Sequence, residues 1–86
     1  MSTAAPLKVE IVAPDQVLWS GQADAVSAPA ADGDMGLLPG HESVLVTLRP
    51  GTVRVRTGSK ESKFEVSAGF LSFDSDVITV VVGGRG

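Results

Sequence analysis

Thr52-Val53-Arg54-Val55-Arg56-Thr57-Gly58-Ser59-Lys60-Glu61-Ser62-Lys63-Phe64-Glu65-Val66 is the stretch on which the fold turns. Val53 and Val55 alternate with Arg54 and Arg56, and Phe64, Val66 and Ala68 alternate with Lys63, Glu65 and Ser67. A period of two puts the apolar side chains on one face of a strand and the charges on the other. Gly58 to Ser62 reads as the hairpin loop between the two strands. The same alternation appears near the start, where Leu7, Val9 and Ile11 are separated by Lys8 and Glu10. Towards the end, Leu71 and Phe73 precede a turn at Asp74-Ser75-Asp76. The β-branched run Val77 to Val82 that follows suits a strand covered on both faces.

Ten glycines and five prolines punctuate the chain, leaving little uninterrupted length for a helix. The spacing predicts an all-β, antiparallel two-sheet β-sandwich of about ten short strands, with no helix longer than about two turns. At 86 residues the chain fits one domain, 1–86, with flexible ends at 1–6 and 83–86. Folding at this size hides only about 60–65% of the surface the unfolded chain exposes, so the core is modest and partners are expected to add stability.

Seven basic and ten acidic residues give a net charge of −3. No broad positive field exists to recruit nucleic acid or an anionic membrane. The absence of cysteine removes disulfides and thiolate metal ligands. Apolar runs such as Val80-Val81-Val82 fall far short of the roughly 20 residues a spanning helix requires, so no direct lipid insertion is expected.

Chemistry-bearing residues are sparse. His41 is the only histidine, and no motif brings a nucleophile and an orienting carboxylate to it; Glu42 and Asp34 are merely near in sequence. Asp24, Asp32 and Asp34 could offer oxygens to calcium, yet the twelve-residue loop closed by a bidentate glutamate is missing, and Asp-Gly pairs also favour plain turns. Gly33, Gly36 and Gly40 lack the following helix N-terminus of a phosphate cradle and read as turn glycines. Arg54 and Arg56 belong to a solvated strand face. Trp19, between Val17-Leu18 and Ser20-Gly21, reads as a core residue. No catalytic residue, metal, cofactor or small-molecule substrate is expected. The competing reading is a stand-alone β-sandwich that binds a ligand or calcium through its aspartate loops.

Asp32-Gly33-Asp34-Met35-Gly36-Leu37-Leu38-Pro39-Gly40-His41, followed by Pro50-Gly51, resembles the signature loop of the F-type ATP synthase epsilon subunit family. Val9-Glu10-Ile11-Val12-Ala13-Pro14 with Leu18-Trp19-Ser20-Gly21 is similar to that family's first hairpin, and Val66-Ser67-Ala68-Gly69-Phe70-Leu71 to its later glycine turn. The resemblance covers nearly all of Leu7 to Val82. It departs at Glu42-Ser43-Val44-Leu45-Val46, where the family commonly has proline at the place of Ser43 and threonine at that of Val46. Family members usually add a helical hairpin after the last strand, whereas this sequence ends Gly83-Gly84-Arg85-Gly86.

The resemblance implies a non-catalytic rotor subunit that links the gamma subunit to the c-subunit ring and couples proton flow to ATP synthesis. Asp34, Met35 and His41 would meet the c ring, and Ala13, His41 and Val46 the gamma subunit. The protein would be peripheral, on the cytoplasmic face of the bacterial plasma membrane. Because nucleotide sensing and inhibition belong to the helical hairpin in the family, this chain is expected neither to bind ATP nor to inhibit the catalytic head.

Overall fold

The computed structural model describes residues 6–83. The ends expected to be flexible therefore lie, apart from Pro6 and Gly83, outside the described residues. Nine strands and no helix occupy this span: β1 Leu7–Ala13, β2 Gln16–Ala23, β3 Ala25–Ala30, β4 Gly33–Leu37, β5 Val44–Leu48, β6 Gly51–Thr57, β7 Lys60–Val66, β8 Gly69–Asp74 and β9 Val77–Val82. The all-β expectation holds, with nine strands among the described residues rather than about ten.

The strands hydrogen-bond in the order β2-β1-β9-β8-β5-β3-β6-β7, with β4 on the other edge of β3. β5 and β3 share only the pair Ala30 and Leu48. At that corner the sheet curls into two leaves: leaf one is β2-β1-β9-β8-β5, and leaf two is β4-β3-β6-β7. The pairing is antiparallel except between β1 and β9, which run parallel from Lys8 opposite Val77 to Val12 opposite Val81. A parallel pair needs a long connection between its strands, and here the whole intervening chain supplies it.

The period of two sorts the residues as expected. Leu7, Val9, Ile11, Leu71, Phe73, Ile78 and Val80 of leaf one join Val26, Ala28, Leu37, Val53, Val55 and Val66 of leaf two in one buried cluster. Each fully buried Leu, Ile, Val or Phe contributes roughly 1.5–3 kcal/mol, and no polar or charged residue is buried among the described residues.

Several expectations need correction. The β6–β7 turn is only Gly58 and Ser59, because Lys60 to Ser62 pair with Val55 to Thr57. Ala68 is exposed, since β7 ends at Val66 and the alternation ends with it. Val77 is exposed and Val81 half-buried, so β9 is covered on one face only. Gly36 lies inside β4 opposite Ser27 and not in a turn. Trp19 is half-buried at the rim of the core. Its ring meets that of Phe64 at 5.9 Å and 51°, bridging the edge strands β2 and β7 of the two leaves. Gly21 makes room for that ring, as a Cβ there would stand 2.9 Å from the indole.

Gly69 is the most constrained position. Its φ of 151° is unfavourable for L side chains, and a Cβ would overlap the Val81 carbonyl oxygen. The β8–β9 turn is tighter still in sequence: Ser75 and Asp76 both have positive φ, 50° and 63°. These values match a two-residue type I′ hairpin, whose twist suits the flanking strands.

Candidate partner-binding surfaces

The sequence from Leu38 to Ser43 contains Pro39 and the positive-φ Gly40, so β4 cannot continue through it and the chain crosses from leaf two to leaf one. The β8–β9 turn holds this crossing in place. The Gly40 N–H donates to Asp76 Oδ1 at 2.7 Å, and the Ser43 hydroxyl donates to Asp74 Oδ1 at 2.7 Å. His41 Nδ1–H donates to the Glu42 carbonyl at 2.7 Å, while its ring leans on Phe73 at 5.3 Å and 59°. The imidazole is therefore displayed on the surface and held in position.

Asp34 lies in strand β4, opposite Pro29 in β3, and not in a loop as the sequence reading has it. Its Oδ1 is 2.7 Å from Arg49 Nη2. Arg49 also donates through Nε to the Ala30 carbonyl at 3.0 Å and through its backbone N–H to the Pro29 carbonyl at 2.9 Å. One arginine thus ties the β3–β4 hairpin to the β5–β6 corner. Asp34 remains well exposed, so the pair itself contributes only about 0–1 kcal/mol.

The sequence-predicted contact residues do not form one cluster. Asp34 and Met35 are neighbours on opposite faces of β4, Asp34 exposed and Met35 packed against the core. His41 belongs to the Val44 end of β5, and the Asp34–Arg49 pair to its Leu48 end, roughly 13 Å apart for four strand steps. Ala13, half-buried, ends β1 on the Leu48 side. Val46 points inward and packs partly against the core, which leaves its neighbour Leu45 facing out, 72% exposed. The three aspartates of the calcium reading are also divided. Asp24 accepts the Gly58 N–H at 2.7 Å near the β6–β7 turn, whereas Asp32 and Asp34 are at the far end of β3. Among the described residues no group of three or more His, Asp or Glu is placed to hold a metal ion.

The sequence reading misses an apolar band on the outer face of leaf one. In register across the leaf, Val17 opposes Val12, Val12 opposes Val81, and Val81 opposes Phe70. Val17 is 55% and Phe70 53% exposed, and Leu45 projects from β5 beside them. A bulge at Leu18 shifts the β1–β2 register at this point and widens the band's β2 end. The signal is present in the sequence. Wherever two apolar residues adjoin in a strand, as in Phe70-Leu71, Val80-Val81 and Val44-Leu45-Val46, alternation forces one of them outward.

Comparison with known proteins agrees with this architecture. Residues 6–84 match the sequence profile described as the ATP synthase delta/epsilon chain β-sandwich domain. The ATP synthase epsilon chain of Frankia casuarinae is 47% identical over 77 residues, covering 88% of this chain and 91% of that one. That of Hydrogenovibrio crunogenus is 42% identical over 78 residues, covering 91% of this chain but 54% of its own length. The chain thus spans nearly the whole of one relative and about half of the other. Among solved structures, a chain of the Euglena gracilis mitochondrial ATP synthase superposes with a TM-score of 0.86 at 24% identity, over 95% of this chain and 53% of that one, which speaks to the fold. With the profile matched from end to end of the described strands and the short Frankia relative matched over nearly its full length, this chain belongs to the ATP synthase epsilon-chain family and carries its β-sandwich domain.

Proposed function

We propose that this chain is a non-catalytic rotor subunit of an F-type, proton-translocating ATP synthase, joining the gamma subunit to the ring of c subunits. The apolar band of Val12, Val17, Leu45, Phe70 and Val81 is the observation that carries this reading. A contiguous apolar face on a small domain is a mark of an interface, and an apolar centre ringed by polar groups is what a load-bearing contact needs. Gamma takes this face, with Ala13 at its margin, Val46 behind the exposed Leu45 and the held His41 loop at one end. The c ring takes the exposed Asp34 on leaf two, with Met35 packed behind it. Two contacts on different leaves suit a bridge between two partners. The subunit lies on the cytoplasmic face of a bacterial plasma membrane, kept there by the c ring and without lipid insertion. It couples rotation and performs no chemistry.

Binding of the purified gamma subunit to this chain tests the reading, with Leu45→Glu and Phe70→Glu combined as the variant. Both side chains point to solvent, so the isolated variant should unfold at the same denaturant midpoint. Its affinity for gamma should fall about 30-fold, the loss of one interface hot spot of ~2 kcal/mol. Unchanged affinity would remove the band from the interface and the proposal with it.

A further inference from the structure

The outer face of leaf two carries a groove, one end of which is lined by Asp34 and Met35, the residues the rotor reading gives to the c ring. Two adjoining depressions of about 400 and 470 Å³ share Ser27, Gly36 and Arg54 in their walls. Their floor is made of small residues, with Ala25 at one end and Gly51 at the other, so another backbone can approach closely. Arg54 and Arg56 line one depression, and Arg49 borders the other.

The charges on this face are only partly matched within the molecule: Arg49 pairs with Asp34 at 2.7 Å, and Glu61 stands opposite Arg56 across the β6–β7 ladder. Arg54 is directly opposite Lys63 across the β6–β7 ladder, an arrangement that disfavours folding when like charges face each other. Glu61 comes within 3.5 Å of Arg54, and both are about half exposed. Among the described residues, no carboxylate lies within 4.0 Å of Arg56 or Lys63. Arg49, Arg54, Arg56 and Lys63 outnumber Asp34, Glu61 and Glu65 on this face, although the whole chain carries a net charge of −3. No aromatic side chain lines the groove, so it offers no stacking platform for a base.

We propose that this groove binds an extended acidic segment of a protein partner, with carboxylates two residues apart meeting Arg54 and Arg56. Outward side chains at i and i+2 of a strand are ~6.6 Å apart, the spacing of like-facing side chains in any extended segment. Arginine's fork holds a carboxylate with two hydrogen bonds, and a carboxylate on Arg54 relieves its repulsion with Lys63. The groove follows β3 from Ala25 to Pro29, about 13 Å, room for four or five extended residues. This surface is on the outer face opposite the apolar band, so the inference stands whether or not gamma binds that band.

An NMR titration of the nitrogen-15-labelled chain with capped hexaglutamate at low salt tests it, beside parallel titrations with pyrophosphate. Saturable shifts are expected at the amides of Ser27, Gly36, Arg54 and Arg56, weakened about tenfold in Arg56→Gln and only partly restored at low salt in Arg56→Lys, which keeps the charge but not the fork. Arg56 is exposed, and the unshifted remainder of the spectrum reports that each variant is folded. Absence of saturation at several millimolar peptide, on the order of the weakest specific contacts, overturns the proposal. So does undiminished binding by Arg56→Gln, or pyrophosphate saturating the same amides as tightly as the peptide.

Discussion

The two outer faces of this sandwich are built from the same alternation and end up opposite in character. On leaf one the outward positions of β1, β2, β8 and β9 place Val12, Val17, Phe70 and Val81 in one row. On leaf two the outward positions of β6 and β7 hold Arg54, Arg56, Glu61 and Lys63. The apolar residues of both inner faces fuse into one cluster. Burial therefore dictates the inward residues, while the outward ones are free to differ, and that freedom is where partner choice is written.

The most severe way to break the comparison is to damage leaf one from within. Gly69→Ala places a Cβ on the Val81 carbonyl oxygen at a φ that L residues rarely adopt, and should destabilise the domain by more than about 3 kcal/mol in urea unfolding. An unchanged midpoint would mean that the β8–β9 ladder can shift to accept it, and that leaf one is softer than its packing implies.

A milder change tests whether the leaves are held together at their open side. Gly21→Ala pushes against the Trp19 ring and should weaken its contact with Phe64, at a cost of about 1 kcal/mol. Tryptophan emission should shift to longer wavelength in the folded variant. If it does not move, the edge strands β2 and β7 are not clasped by this aromatic pair.

Loop positioning comes next. Asp76→Asn keeps a residue that tolerates positive φ but weakens the bond received from the Gly40 N–H, and should lower stability by about 0.5–1 kcal/mol. Faster amide hydrogen exchange at Gly40 and His41 is the specific readout, and the gamma affinity should fall with it if the loop is part of that contact.

The smallest effect on the fold is expected from Asp34→Lys, which exchanges an exposed ion pair with Arg49 for a repulsion and should change stability by less than about 1 kcal/mol. Its effect should appear instead in assembly with the c ring, as slower association and altered salt dependence. Normal assembly at low salt would take Asp34 out of that contact.

Much of the fold was legible in the sequence because inward positions obey a strict period. Leu7-Lys8-Val9-Glu10-Ile11 and Val53-Arg54-Val55-Arg56 alternate without exception, and both strands lie where that alternation puts them. The parallel pairing of β1 with β9 was not legible, since strands at the two ends of a chain carry no local mark of their neighbour. Asp34 was misread as a loop residue because Asp32-Gly33-Asp34 has turn composition throughout, yet only Ala31 and Asp32 make the turn and β4 begins at Gly33. The ties of Asp74 and Asp76 to Ser43 and Gly40 join segments more than thirty residues apart. No spacing rule reaches that far.

The parallel β1–β9 pair also fixes how the molecule bears tension. The described chain enters β1 at one end of leaf one and leaves β9 at the other, with five residues of each strand paired between. A pull between those two points would slide the strands past each other, so their backbone hydrogen bonds would be loaded together in shear. A pull across a hairpin such as β8–β9 would instead unzip one bond at a time from its mouth. Forced unfolding follows the barrier and not the equilibrium stability. In this architecture the path joining the first strand to the last is thus the mechanically stiff axis of a domain whose core is otherwise small.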